Sequence, residues 1–227
     1  MGALRTESVE RAMSILLAFS TQNRRLSLAD LARETGLHKS TILRLTTSMQ
    51  IYGFINRDAD GTFTIGASIW RLGLIFRQDF NNGEEIRPVL RKLVELTGET
   101  ASFYVKAGQE RVCLYRENSP DLMRFHLEEG MRLDLNTGAS GTVLRHFSGH
   151  DVEDHSVFNA HGTVVSAGAR NPSIASIATP VFDQGGNLRG ALAVSGLINR
   201  FDERSRTEAI PMLENLADQL KSSLGQT

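Results

Sequence analysis

Between Lys39 and Thr47 the chain places hydroxyl and cationic side chains at helical spacing. Ser40, Arg44 and Thr47 fall at i, i+4 and i+7, with Thr41 and Ser48 adjoining and Lys39 in the first turn. Such a face can read a nucleic-acid duplex. Short hydroxyls let a backbone approach phosphate, and the arginine fork matches the acceptor pair of guanine in the major groove. Residues early in a recognition helix are the ones that reach base edges. Arg57 further along, and Arg24 with Arg25 upstream, supply cations for backbone phosphates or the minor groove. A polar helix face alone is more often just solvated, so the reading depends on the scaffold around it.

A second constellation is Thr137-Gly138-Ala139-Ser140-Gly141. Small residues at a helix start expose backbone N–H groups that suit a carboxylate. An ordinary glycine-rich turn is the competing interpretation. A third is His146, His150, His155 and His161 with Asp151, Glu153 and Asp154. His146 and His150 at i, i+4 could hold zinc or nickel, but a solvated histidine-containing loop is the preferred reading, and no metal ligand is assigned. Catalytic signatures are missing. G-A-S-G-T fails G-x-S-x-G at its last position and has no elbow strand before it. Gly185-Gly186 lacks a phosphate-loop lysine. No catalytic residue, enzyme activity or cofactor is expected. The one cysteine, Cys113, excludes an internal disulfide and reads as a buried strand thiol.

Residues 7–19 have apolar Val9, Ala12, Met13, Leu16 and Leu17 on one helical face. Ser27 and Asp30 resemble a capping box at the start of a second helix, with Leu28, Leu31 and Ala32 inward, and Gly36 suits its end. A third helix follows from about His38 to Gln50, with Ile42, Leu45 and Met49 inward. Asp58-Ala59-Asp60-Gly61 between alternating segments predicts a hairpin. Three helices and a two-stranded wing make a winged helix-turn-helix over 1–66. Apolar residues 67–81 read as a linker helix packed on a symmetry mate, and Asn81-Asn82-Gly83 marks a boundary.

Residues 82–227 read as a second, effector-binding and oligomerisation domain. A helix through Ile86, Val89, Leu90, Leu93, Val94 and Leu96 ends at Gly98. A hairpin spans 101–117, a third strand is expected at Met123–Leu127, and a helix opens at Thr137–Gly141. A second hairpin spans 173–195. A last helix starts near Asp202, with Pro211 expected to kink or restart it. The fold class is α+β, an antiparallel sheet with helices.

The bulk numbers fit a protein of two modest domains: 227 residues, 41% hydrophobic, 22% charged, net charge −1. The charge is unevenly placed. Residues 1–77 hold ten Lys/Arg against six Asp/Glu, and the remainder is acidic, which is compatible with a nucleic-acid-binding head. No apolar run is long enough for a membrane span and the first residues lack a signal core, so a cytoplasmic protein without membrane partners is expected.

L-S-L-A-D-L-A-R-E-T-G-L-H-K-S-T-I-L-R-L and G-F-I-N-R-D-A-D-G-T-F-T-I-G resemble the head of the IclR family of bacterial transcription regulators. The resemblance continues at L-T-G-E-T-A, G-M-R-L-D-L-N-T-G-A-S-G and S-I-A-S-I-A-T-P-V-F-D-Q-G-G-N-L-R-G-A-L-A-V-S-G. It implies a winged-helix head, a linker helix and a GAF-like effector domain. It further implies dimers or dimers of dimers on palindromic operators in double-stranded DNA, repressing or activating catabolic genes in response to a small organic acid or aromatic metabolite. Motif by motif it carries Leu122 and Phe125 as apolar wall, Ala139 and Ser140 as anion contact, and Ser176, Ala193 and Ser195 as strand-face lining, with Ser166 a looser match. Asp134, Asn136, Thr142, Ala169-Arg170 and Leu197 depart from the family pattern, and Arg170 could pair with an anionic ligand. The remaining alternatives are a metal-responsive regulator and a constitutive DNA-binding protein whose second domain only dimerises.

Overall fold

The computed structural model describes residues 5–79, 83–124, 127–149 and 154–224, the side chains of 77–79 excepted. Its internal contacts divide the chain into two units, Met1–Phe80 and Asn81–Thr227.

The first unit contains α1 (Glu7–Leu17), α2 (Leu28–Thr35), α3 (Lys39–Ile51), β1 (Ile55–Arg57), β2 (Phe63–Ile65) and α4 (Ala67–Asp79). The expected capping box is present: Ser27 Oγ accepts the Asp30 N–H, and the Asp30 carboxylate accepts the Ser27 N–H. The Ser27 hydroxyl, its backbone N–H and Arg33 hold the Asp30 carboxyl down at about 2. Gly36 ends α2 with φ of +69°, the left-handed region where a side chain would be strained. Ile15, Leu26, Leu31, Ile42, Met49, Ile55 and Phe63 form the core. Leu26 and Phe63 exchange both backbone hydrogen bonds (3.1 and 2.8 Å), tying the α1–α2 connection to the wing. The start of α4 is tied to the end of α3: the Ser68 N–H donates to Gly53 O (3.0 Å) and Ser68 Oγ to Tyr52 O (2.7 Å). Gly66 has no side chain because the Gly53 carbonyl occupies the place of its Cβ.

The expected inner face of α1 needs correction. Ile15 is its fully buried residue, Ala12 and Leu16 are half-buried, and Val9, Met13 and Leu17 are exposed. The apolar arc is wider than the strip that α2 and α3 cover, so its i, i+4, i+8 edge is left outside. Trp70, Leu72, Leu74, Ile75 and Phe76 of α4 are likewise exposed.

The second unit contains α5 (Gly83–Thr97), β3 (Thr100–Ala107), β4 (Glu110–Glu117), β5 (Arg132–Asp134), α6 (Gly138–Phe147), a 3-10 turn (His155–Val157), β6 (Val164–Ala167), β7 (Ile174–Phe182), β8 (Leu188–Leu197) and α7 (Glu203–Ser223). The strands form one sheet in the order β5-β4-β3-β8-β7-β6, antiparallel at every pairing. Tyr104, Cys113, Ala178, Ala191 and Ala193 pack with Ala139, Val143 and Leu144 of α6. Strand alternation turns Thr179 to the other face, where it is linked through Thr163 to Glu214 of α7. The Cys113 thiol is buried as expected, and burial pushes it up to about 11.

Three expectations fail here. The strand beside β4 is Arg132–Asp134, and of the expected strand Met123–Leu127 the described residues 123, 124 and 127 are in no strand, while 125–126 lie outside the described residues. Ser119 Oγ accepts the Asp121 N–H and Asp121 Oδ1 accepts the Met123 N–H, and such local side-chain bonds turn the backbone away from a ladder. Leu96 is exposed at the end of α5. Finally, α7 runs unbroken through Pro211, so the helix does not restart there. The carbonyl deprived of a donor is that of Thr207, an exposed residue that water can reach. Strand β6 escaped the sequence reading because it is four residues long and shows no clean alternation.

Candidate nucleic-acid interface and ligand cleft

On the first unit, Lys39, Ser40, Arg44 and Thr47 are exposed together along α3, and Thr41 is half-buried beside them. The helix begins at His38, which has extended backbone and no side-chain cap, and its first turn holds no acid. The N–H groups ahead of Ile42 therefore have no helical acceptor. The Thr47 hydroxyl donates to Leu43 O at 2.8 Å, which leaves its lone pairs facing outward. Arg57 stands on β1 with its guanidinium 5.4 Å from the centre of the Phe63 ring. Arg24 is exposed, its Nε donating to Thr21 O at 2.9 Å.

Arg25 sits differently from its neighbour. Its Nη2 lies 2.9 Å from Asp58 and 3.4 Å from Asp60 and reaches Thr62 Oγ1 at 3.1 Å, so it braces the wing turn.

On the second unit a small cleft of about 40 Å³ lies over the sheet. One wall is the start of α6: Gly138, Ala139 and Ser140. Strand register builds its floor: Ser166 pairs with Ser176 and Ser176 with Ser195, one hydroxyl per strand in a row across β6, β7 and β8. Ala193 and Ile174 add apolar surface. Tyr104, Arg111 and Leu133 close one end, and Ala169, Arg170 and Asn171 from the β6–β7 turn form the rim. Thr137 precedes α6 with extended backbone and no side-chain cap, and the first turn holds no acid.

Of the residues expected to bind an effector, Ala139, Ser140, Ser176, Ala193 and Ser195 are brought together here, with Ser166 and Arg170. Leu122 is not among them: it is 95% exposed on the surface. Phe125 lies outside the described residues. The sequence reading missed Arg111 and Tyr104. The signal for Arg111 was an arginine leading into apolar Val112 and Cys113, whose inward side only the sheet register reveals.

The histidine segment offers less. His146 packs against Phe158 with ring centres 4.5 Å apart. Among the described residues no three His, Cys, Asp or Glu side chains could share a metal ion. His150, Asp151 and Glu153 lie outside those residues. Among the described residues, too, no helix is long and apolar enough to cross a membrane.

A winged helix joined through a linker helix to a sheet domain with a built cleft defines a class, the two-part transcription regulators. Comparison with known proteins makes the assignment narrower. Residues 8–59 match the IclR helix-turn-helix domain, and residues 156–222 match the bacterial transcriptional regulator IclR C-terminal domain. The chain belongs to the IclR family of DNA-binding transcriptional regulators. It is 26% identical to the transcriptional repressor IclR of Escherichia coli (strain K12), over 96% of this chain and 90% of that protein. It is 26% identical to the glycerol operon regulatory protein of Streptomyces coelicolor, over 96% of each. In fold it resembles an IclR regulator from Silicibacter sp. TM1040, with a TM-score of 0.75 at 22% identity over 97% of both chains. It also resembles an IclR homolog from Microbacterium hydrocarbonoxydans solved with 4-hydroxybenzoate, with a TM-score of 0.73 at 18% identity over 96% of this chain and 99% of that one.

Proposed function

We propose that this regulator binds a palindromic operator as a homodimer or dimer of dimers, and that a small organic acid in the α6 cleft controls the binding. Lys39, Ser40, Thr41, Arg44 and Thr47 read the duplex, with Arg44 on a base edge, while Arg57 and Arg24 hold phosphates. Arg25 acts at one remove by fixing the wing. Ala139, Ser140, Ser176, Ala193 and Ser195 hold the acid. Catalysis forms no part of this reading, and the site of action is the cytoplasm.

The observation that carries it is the coexistence of an exposed basic helix face on one unit and an enclosed polar cleft on the other. The exposed apolar residues of α4, with Val9, Met13 and Leu17 of α1, support a second copy at the head. The clamp between Ser68 and the end of α3 supports a mechanical link, since any tilt of α4 carries the recognition helix with it. Two half-sites fit a dimer at one spacing, so a small change of spacing changes affinity. The aromatic acid bound by the Microbacterium relative matches the chemistry of the cleft.

The experiment is a band shift on duplex DNA from upstream of the protein's own gene, repeated with a panel of aromatic and aliphatic acids. A sequence-specific complex is expected, with its affinity changed about fivefold or more by at least one acid. Equal binding to scrambled duplexes overturns the operator. Indifference to every acid would mean that the second unit only dimerises.

A further inference from the structure

The cleft holds a buried cation that the fold compensates only in part. Arg111 is 3% exposed, and its buried Nε has no hydrogen-bond partner. Its Nη1 donates to the Asp134 carbonyl, and its guanidinium lies 5.7 Å from the centre of the Tyr104 ring. The Asp134 carboxylate is engaged elsewhere: its Oδ1 accepts the backbone and side-chain N–H groups of Asn136 at 2.9 and 3.0 Å. Burial disfavours the charged form of Arg111 and Arg170 adds repulsion, while Tyr104 and Asp134 act the other way.

The guanidinium also lies against the start of α6. A Cβ on Gly141 would stand 2.7 Å from Arg111 Nη1, and one on Gly138 would stand 3.8 Å from Nη2. The Leu135 carbonyl, 2.5 Å from the same position, is what requires glycine at 141, and the arginine tip occupies the space beside it. A helix start carries a partial positive charge, and here it has no side-chain cap and no first-turn acid and is adjoined by a fixed cation. Two positive groups held this close repel each other until an anion sits between them. Arg170, exposed on the rim, brings a second cation to the same cleft, and among the described residues no Asp or Glu lines it. The serine row runs between and offers hydroxyls.

We propose that the cleft is built for an acid with two anionic groups, one seated between Arg111 and the start of α6 and the other against Arg170. The claim rests on the reading that the cleft takes an effector, and it names the class: dianions are selected over monoanions of the same skeleton. Arg111 is the anchor shared by all acids, and Arg170 is the discriminator.

Isothermal titration of the full chain at fixed ionic strength tests this with three matched pairs: succinate against butyrate, phthalate against benzoate, and phosphoglycolate against glycolate. The dianion of at least one pair is expected to bind about tenfold tighter than its partner, as a charge-assisted hydrogen bond of ordinary strength requires. In Arg170→Gln that preference falls to about twofold or less, because the dianion loses more affinity than the monoanion. Arg111→Lys keeps the charge but loses the fork, and weakens both members of the pair. Because Arg170 is exposed, its variant keeps the test valid even where a change at buried Arg111 prevents folding. Success of the phosphoglycolate pair alone assigns the second group as a phosphate, and success of the other pairs assigns a carboxylate. Equal binding within all three pairs, or a preference that survives Arg170→Gln, overturns the inference while leaving the cleft as an effector site. Absence of binding by all six acids overturns both.

Discussion

The starts of α3 and α6 are built alike, and differently from those of α2 and α7. Ser27 caps α2 and Asp202 caps α7, each with an acid in the first turn. Before α3 and α6 stand His38 and Thr137, neither giving a side-chain hydrogen bond, and neither helix has a first-turn acid. The capped starts close their own N–H groups and serve the fold. Those of α3 and α6 leave donors for a ligand and fall at the two faces assigned to binding, whereas α1, also without a side-chain cap, has Glu7 and Glu10 in its first turn. They differ in surroundings. The α3 start is exposed among Lys39, Ser40 and Arg44, a place for a long polyanion. The α6 start is walled by buried Arg111 and a row of serines, a place for one small acid. An open site gathers charge with little selection, whereas an enclosed one selects by number and position of charges.

The largest test of this contrast is salt. Between 50 and 200 mM, DNA affinity should fall about a thousandfold or more, as several phosphate contacts require. Acid affinity in the cleft should fall roughly tenfold or less, since the site is shielded from mobile ions. Parallel slopes from anisotropy and calorimetry would erase the distinction between the two faces.

Arg44→Ala comes next. It should cost about 1–3 kcal/mol on the operator and much less on random duplexes if the guanidinium reads a base. An equal loss on both would turn Arg44 into a phosphate contact and leave the α3 face without that base reader.

The smallest effects concern the capped class. Ser27→Ala should cost about 1 kcal/mol in a urea titration. It should also change the acid limb of the stability curve. The Asp30 carboxyl lies at about 2 in the folded chain against an ordinary 3.8. Its contribution is therefore complete above about pH 4 and is lost as pH falls towards 2. In Ser27→Ala that part of the curve should flatten. A variant as stable and as acid-sensitive as the parent would remove the reason for calling this start structural.

Much of the head was legible because its signals are local. The capping box, Gly36 and the Asp-Gly turn each specify backbone within a few residues, and together they order the winged helix. The sheet was less so. Strand β3 pairs with β8, Ala101 opposite Val194, and nothing in either segment names the other. Register decides that Ser166, Ser176 and Ser195 stand in one row, and that Arg111 faces the cleft. The resemblance supplied several of these residues, but it also supplied Leu122, which lies at the surface. The bracing of the wing by Arg25 was hidden because its partners, Asp58 and Asp60, are over thirty residues away in sequence. Val9, Met13 and Leu17 looked inward because helical periodicity gives the direction of an apolar arc, not the width that a neighbour covers.

The serine row has one more consequence. Ser176 is flanked on β7 by Ala175 and Ile177, both fully buried on the opposite side. A one-residue insertion or deletion within β7 would exchange their directions and line the cleft with methyl groups. Point changes can therefore retune this receptor a single rung at a time, but changes of length are confined to the turns at 168–173 and 183–187. Diversity of ligand among descendants of this chain should be written as substitutions on the strands and as indels only in those turns.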